Sequence, residues 1–386
     1  MADTVSLFVN DLGDNPIGRA LPIAKALRRA GYDVEVLGFL LGGDGRLYSP
    51  YLDEMEPTAI QTSLHLGELF LNARRLAHAA SGDIIYAFKP IMTTLAPALY
   101  AARVIENRPL LLDVEDEEVY GDRNWSLEDT WRKLFRGWRL GTSWKYTRLL
   151  QLFRGSVDAV TVVSTKLQRR YGGTLLRHGP DETEFCPDRD FETGGAAREK
   201  WGLPENRKLA VFTGTPRSHK GFDTLTEALS RPKCREWDFV LVGPHENEYA
   251  RSVKEQLPHR SHFLGAQSYN QIPELLSVAD AIPIPQKETS FAEAQVPAKL
   301  LDAMAMARPI VASRIGDLPD ILGDGERGWL MEPDDPASLA QSLSDIAQHP
   351  EEAATRPKRA RRWYESHAST SAIKEKLEEI LRCLST

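Results

Sequence analysis

Lys299 and Asp302 stand three residues apart just behind Pro297, in a segment (297–321) that reads as a short helix, a buried strand and a glycine turn into another helix. Residues three apart on a helix share a face. Pro297 or Ala298 is the natural first helical residue, because the N–H that proline lacks would have no partner there. The unpaired N–H groups of that turn, with the positive end of the helix dipole, face whatever precedes Pro297, and such an end attracts phosphate. One helical turn rises about 5 Å, close to the step from a nucleotide's phosphates to its ribose. Backbone N–H groups for phosphate and the Asp302 carboxylate for ribose hydroxyls, with Lys299 on the same face, make Pro297, Ala298, Lys299 and Asp302 a nucleoside-diphosphate site. The plainer reading is an amphipathic helix packed on a parallel sheet. Packing alone does not require charges at the helix start.

Other segments bear chemistry of the same kind. The strand Leu209–Thr213 ends at Gly214, and Thr215–Gly221 leads into a further helix. Ligands of open α/β sheets bind at the carboxyl ends of strands, so Gly214, Arg217 and Lys220 line such a site. Fixed cations there stabilise the charge of a departing diphosphate without a metal. The loop 286–296 adds the carboxylates Glu288 and Glu293. Near the N-terminus, Asp11–Arg19 links the first strand to the first helix, and Gly18 and Arg19 are candidates for a ligand-facing turn; a structural turn with a capped helix is the alternative. Leu110–Glu118 places five carboxylates at a strand end. They suit an acceptor hydroxyl or a general base at Asp116, a Mg²⁺ ion, or a plain acidic turn. Residues 131–154 hold seven basic residues, three tryptophans and no acid. That composition fits either the interface of an anionic membrane or a helix pair with tryptophan and leucine in the core.

The run Pro297-Ala-Lys-Leu-Leu-Asp-Ala-Met-Ala-Met-Ala-Arg-Pro-Ile-Val-Ala-Ser313, followed by Gly316-Asp-Leu-Pro-Asp-Ile-Leu322, resembles the donor-binding signature of family-4 retaining glycosyltransferases of the GT-B fold. The likeness is strong over 209–343, moderate over 157–187 and weak before that. It implies two Rossmann-like domains facing across a cleft that closes over the substrates. A nucleotide-sugar donor would lie on the C-terminal domain, and an acceptor (glycan, glycolipid or small molecule) on the N-terminal one. It also implies retention at the transferred carbon with no enzyme nucleophile and no obligatory metal or cofactor. In that frame Arg217 and Lys220 stabilise the leaving diphosphate, Asp302 holds the ribose where the family ordinarily has glutamate, and backbone near Leu264 reads the base. Lys220-Gly221 matches the family's lysine–glycine pair, whereas Thr215 occupies the commoner register of its arginine. Family members also carry an acid eight positions before the ribose residue, for the donor sugar. Here that position is Ala294, so the first acid is Glu293 through a shifted loop, or Glu288, or absent. A non-catalytic GT-B subunit of a transferase complex, and an epimerase or phosphorylase on the same fold, remain as other readings.

The elements needed to position these residues are visible throughout. Short apolar runs alternate with helical periodicity, which argues for parallel α/β layers. Expected strands are Val5–Val9, Val34–Leu37, Ile84–Phe88, Leu110–Val114 and Ala159–Val163 in the first half. In the second half they are Leu209–Thr213, Phe239–Val242, His262–Leu264, Ala281–Ile284 and Ile310–Ala312. Helices are expected at Arg19–Ala30 and Pro90–Glu106, among others. With 386 residues, two domains fit better than one: 1–180, 181–360, and a terminal helix within 361–386 that packs back on the first. The composition, 42% hydrophobic and 27% charged, is globular. A net charge of −7 argues against a nucleic-acid partner. Cys186, Cys234 and Cys383 form no ligand or disulfide pattern, the start runs directly into a strand, and no apolar run is long enough to span a bilayer. A cytoplasmic protein is expected, with peripheral contact at the membrane's inner face if 131–154 binds lipid.

Overall fold

The computed structural model describes residues 3–13, 17–41, 45–48, 56–116, 149–150, 152–189 and 194–384. Contacts divide the chain into two units, Met1–His178 with Thr370–Thr386, and Gly179–Ser369.

The first unit is built on seven parallel strands, β1 (Thr4–Asp11), β2 (Asp33–Leu40), β3 (Thr58–Gln61), β4 (Ile84–Phe88), β5 (Leu110–Val114), β6 (Ala159–Val162) and β7 (Thr174–Leu175), in the order β3-β2-β1-β4-β5-β6-β7. The central strands read as largely apolar runs, interrupted by Ser6 in β1 and Asp113 in β5, and are buried along most of their length, as parallel strands covered on both faces must be. The chain lays β2 and β3 on one side of β1, then crosses to place β4 on the other. The strand ends of β1 and β4 therefore flank the reversal in strand order. β3 and β7 escape the sequence reading. The former is a largely exposed edge and the latter only two residues long, so neither carries an apolar run. The helix expected over Pro90–Glu106 forms only from Leu95, and continues as a wider turn over Ala101–Ile105.

In the second unit β8 (Lys208–Thr213), β9 (Trp237–Val242) and β10 (Ser261–Phe263) pair in the order β10-β9-β8, and β11 (Ile282–Ile284), β12 (Ile310–Ser313) and β13 (Trp329–Met331) in the order β11-β12-β13. A bridge between Ala210 and Ala281 joins the two sets. There the Val211 N–H donates to the Ala281 carbonyl at 2.9 Å and the Ala281 N–H to Leu209 at 3.1 Å. The six strands thus repeat the first unit's arrangement, with the reversal between β8 and β11. Phe212, Phe222, Trp237 and Phe239 fill the core behind them, with Leu225 and Leu339.

The C-terminal region divides between the units. Helix Pro350–His367 stays in the second, where Arg361 donates to the carbonyls of Ala305 and Phe185, and the Tyr364 hydroxyl to Pro180 at 2.6 Å. Helix Thr370–Leu384 packs along helix Ile17–Arg29 with Ile373, Leu377 and Leu381 buried. The tail that joins the first unit therefore begins at Thr370 and not at 361.

Candidate functional site

The carboxyl ends of β8 and β11 bring the two charged loops of the second unit together. Gly214 follows β8 with φ 106°, and its N–H donates to the Val242 carbonyl at 2.8 Å. Arg217 is extended and exposed, Ser218–Lys220 makes one tight turn, and Gly221 adopts φ 65°. A Cβ on Gly221 would lie 1.8 Å from the Pro285 carbonyl oxygen, so the two loops meet backbone to backbone. The Lys287 N–H donates to the His219 carbonyl at 3.0 Å, the His219 ring meets Phe291 edge-on at 5.4 Å, and Lys287 pairs with Asp223. Sequence reading missed this clasp, whose signal is spread over residues seventy positions apart. Its effect is to aim Lys220 inward. The Lys220 ammonium donates to the Thr215 carbonyl at 2.7 Å. Burial, with Arg217 nearby, lowers it to about 8.

The second loop returns through helix Ser290–Ala294, capped by Thr289, into helix Ala298–Ala305. Pro297 is the residue before the first helical turn, with Ala298 first, and no side chain caps that end. Lys299 sends its ammonium to 3.1 Å from the centre of the Phe212 ring. Its Nζ is sealed from solvent and has no hydrogen-bond partner among the described residues. Burial, then the Lys220 charge, holds it well below the usual lysine range, against a smaller pull upward from Asp302. Asp302, half-buried one turn on, is raised to about 7 by burial, with Lys299 opposing. Leu264 follows β10 and donates its N–H to Leu241 at 3.0 Å; Gly265 turns the chain after it. In the order β10-β9-β8-β11, Leu264 stands two strands from Gly214.

The carboxylates of the loop separate. Ala294 is completely buried. Glu293 is half-buried, and its carbonyl lies where a Cβ on Gly316, after β12, would meet it at 2.5 Å. Glu293 is thus held beside the β12 turn by its backbone. Glu288 is exposed, and its backbone N–H donates to the Asp334 carboxylate at 3.3 Å. Gln286, unremarked in the sequence, is 4% exposed at the end of β11 with its side-chain oxygen unpartnered.

In the first unit Gly18 sits half-buried in the first turn of helix Ile17–Arg29. Arg19 is not ligand-facing. It is 2% exposed and forms a two-pronged pair with Asp113, while also meeting His178 and the Leu176 carbonyl. Thr161 donates to the same carboxylate, and Tyr86 meets Thr161 at 2.7 Å. This pairing takes Asp113 out of the carboxylate cluster. Of the remaining four, Glu117 and Glu118 lie outside the described residues. Asp116 accepts from the Lys89 ammonium at 2.7 Å, and Glu115 lies 3.2 Å from it. Burial pushes Glu115 up to about 7, with Lys89 opposing. Among the described residues no group of three or more His, Cys, Asp or Glu side chains could hold a metal ion, and no helix is long and apolar enough to cross a membrane. Most of 131–154, residues 131–148 and 151, lies outside the described residues.

Comparison with known proteins meets this geometry in the second unit. The family model for group 1 glycosyl transferases matches residues 207–349. The D-inositol 3-phosphate glycosyltransferase of Corynebacterium diphtheriae is 27% identical over 185 residues, covering 45% of this chain and 42% of that protein. The enzyme of the same name from Mycolicibacterium smegmatis is 29% identical over 201 residues, 49% of this chain and 43% of its own. The chain thus spans less than half the length of the curated relatives it matches. Solved structures align nearly throughout. A glycosyltransferase of Rickettsia africae has a TM-score of 0.72 at 19% identity, covering 98% of this chain and 97% of its own. HepE of Anabaena, solved with UDP and glucose, gives 0.71 at 19%, with coverages of 99% and 100%.

Proposed function

We propose that this chain, which carries the group 1 glycosyltransferase domain and the family-4-like GT-B fold, moves a sugar from a nucleoside-diphosphate donor to an acceptor hydroxyl. The observation that carries this reading is the convergence of Lys220, Lys299 and Asp302 on the carboxyl ends of β8 and β11, where the strand order reverses. Open α/β sheets take ligands at that place. Lys220 and the exposed Arg217 neutralise the leaving diphosphate, as preorganised cations stabilise charge that develops in the transition state. Gly214 and the N-terminal turn behind Pro297 and Ala298 offer backbone to the phosphates. Asp302 accepts from the ribose hydroxyls, backbone at Leu264 faces the base, and Glu293 contacts the donor sugar. The acceptor lies on the first unit, on the side of Gly18 and Asp116. Transfer proceeds with retention and without an obligatory metal, because the two cations supply the charge that a metal would.

Binding is tested with a thermal-shift panel of UDP, GDP, ADP and dTDP, since a specific ligand stabilises by RT ln(1 + [L]/Kd). UDP is the first probe. Release of sugar from the matching nucleotide-sugar, with the product's anomeric configuration read by NMR and the assay repeated in EDTA, tests catalysis, retention and metal independence in turn. One observation favours a second reading. Ala294, wholly buried, stands where the family's first acid is expected. Tight nucleotide binding with no sugar release for any acceptor would make the chain a nucleotide-binding subunit of a transferase complex.

A further inference from the structure

A lysine ammonium that is buried without a hydrogen-bond partner is an unusual thing to keep. The Lys299 ammonium is sealed from solvent, rests on the face of Phe212, and has no hydrogen-bond partner among the described residues. A charged ammonium in such a place must rely on the ring's quadrupole and the more distant charge of Asp302, which together are outweighed by burial. Two other cations already bear on the same strand ends, Lys220 and Arg217.

We propose that Lys299 is uncharged in the free site and captures a proton as the diphosphate enters, so that donor binding and proton uptake are one event. This rests on the donor site described above. The ligand class it requires is a polyanion, since only a second phosphate brings enough negative charge to hold three cations together. The physical sense is a site less crowded with positive charge when empty, which becomes fully cationic around the diphosphate and discharges again when it leaves.

The charged groups facing Lys299 have to be consistent with this. From its own helix Asp302 pulls it toward the charged form; from the β8 loop Lys220 pushes the other way, and burial outweighs both. Arg217 acts through Lys220. On the loop after β11, Lys287 is occupied by Asp223, and Glu288 is exposed, its backbone N–H donating to Asp334. Glu293 is placed beside Gly316. From helix Pro350–His367, which packs on the Lys299 helix, Arg361 is bound to Glu365 and backbone carbonyls, and the Tyr364 phenol is pushed further up by burial. On β8 the neighbours Phe212 and Thr213 carry no charge. Among the described residues Asp302 is the acid that acts on Lys299, and burial raises it to about 7. Above pH 8 its carboxylate is ionised, so any proton taken up there belongs to a lysine.

The test is isothermal calorimetry of UDP binding to the full chain at pH 8.5, with GDP and ADP used if UDP does not bind, in buffers of different ionisation enthalpy. The wild type should take up more than one proton, Lys299's added to the share of Lys220, seen as a slope of apparent enthalpy against buffer enthalpy, and Kd should rise by up to about tenfold per pH unit for each lysine above that point. UMP should give a smaller slope than UDP. Lys299→Arg keeps a permanent charge and should bind with Lys299's share of the slope gone, whereas Lys220→Arg should retain it. Lys299→Met guards against an arginine that does not fit, and should lose Lys299's share of the slope together with affinity, leaving only the uptake that belongs to Lys220. Binding with the same enthalpy in every buffer, or an undiminished slope in Lys299→Met, would overturn the inference while leaving the donor site standing. Failure of every nucleotide to bind would overturn both.

Discussion

Lys220 carries the clearest consequence at the scale of single residues. In the proposed role its charge matters most when the diphosphate departs, and on that reading Lys220→Ala should lower kcat by about 10²–10³-fold while weakening donor affinity much less. Steady-state kinetics beside direct nucleotide titration checks this, and an affinity loss with unchanged turnover would make Lys220 a ground-state binder only. The acid–base states add a pH window. In the proposed contact Asp302, raised to about 7, accepts from ribose only when ionised, so nucleotide affinity should fall as pH drops below 7. Lys220, lowered to about 8, must be protonated to meet phosphate, so affinity should fall again above 8. Titrations from pH 5.5 to 9.5 should show a maximum between the two; a flat profile would remove both groups from the contact. Lys299, Asp302 and Lys220 were legible in the sequence because helix periodicity and a strand-end turn fix where such residues point. Arg19 was not. Its partner Asp113 lies on another strand, and nothing local says that a basic residue in a first turn is turned inward to meet it. A buried charge left unpaired costs about 3–5 kcal/mol, whereas replacing both partners by apolar groups restores much of it. Arg19→Met should therefore be strongly destabilising in urea, and Arg19→Met with Asp113→Leu markedly less so.

At the scale of elements, the site depends on two loops clasped across the reversal in strand order. Gly221 is the tightest point, since any side chain there would need φ 65° and would run into the Pro285 carbonyl. Gly221→Ala should lower stability by at least about 1–3 kcal/mol and displace the Lys220 turn. Denaturant midpoints paired with nucleotide affinity read both effects, and a neutral substitution would show that the loops are free to part. The buried strands β1, β4, β5, β8 and β9 were legible because strands covered on both faces read as apolar runs. The edges β3, β7 and β13 were not, being short or half-exposed. The clasp itself was illegible for the same reason as Arg19: the pairing of His219 with Lys287 and Phe291 is tertiary.

At the scale of the whole chain, two units of like topology each close around their own core, and the last helix belongs to the first. Removing 370–386 uncovers the apolar face of helix Ile17–Arg29, so it should lower the melting of the first unit. The nucleotide-dependent shift of the second should persist; loss of that shift would mean that the donor site needs more than the second unit supplies. That two-unit organisation was readable from the alternation of strands and helices, although the junction at Thr370 came only from packing. The measurement that bears most directly on the account is a double-mutant comparison at Asp302, with UDP and 2′-deoxy-UDP against wild type and Asp302→Asn. If the carboxylate holds both ribose hydroxyls, the mutation should cost about 1.5–3 kcal/mol of UDP binding. It should cost clearly less with the deoxy ligand, from which one partner is already missing. Equal losses with the two ligands would mean that Asp302 only supports its helix, and that the nucleotide is held somewhere else.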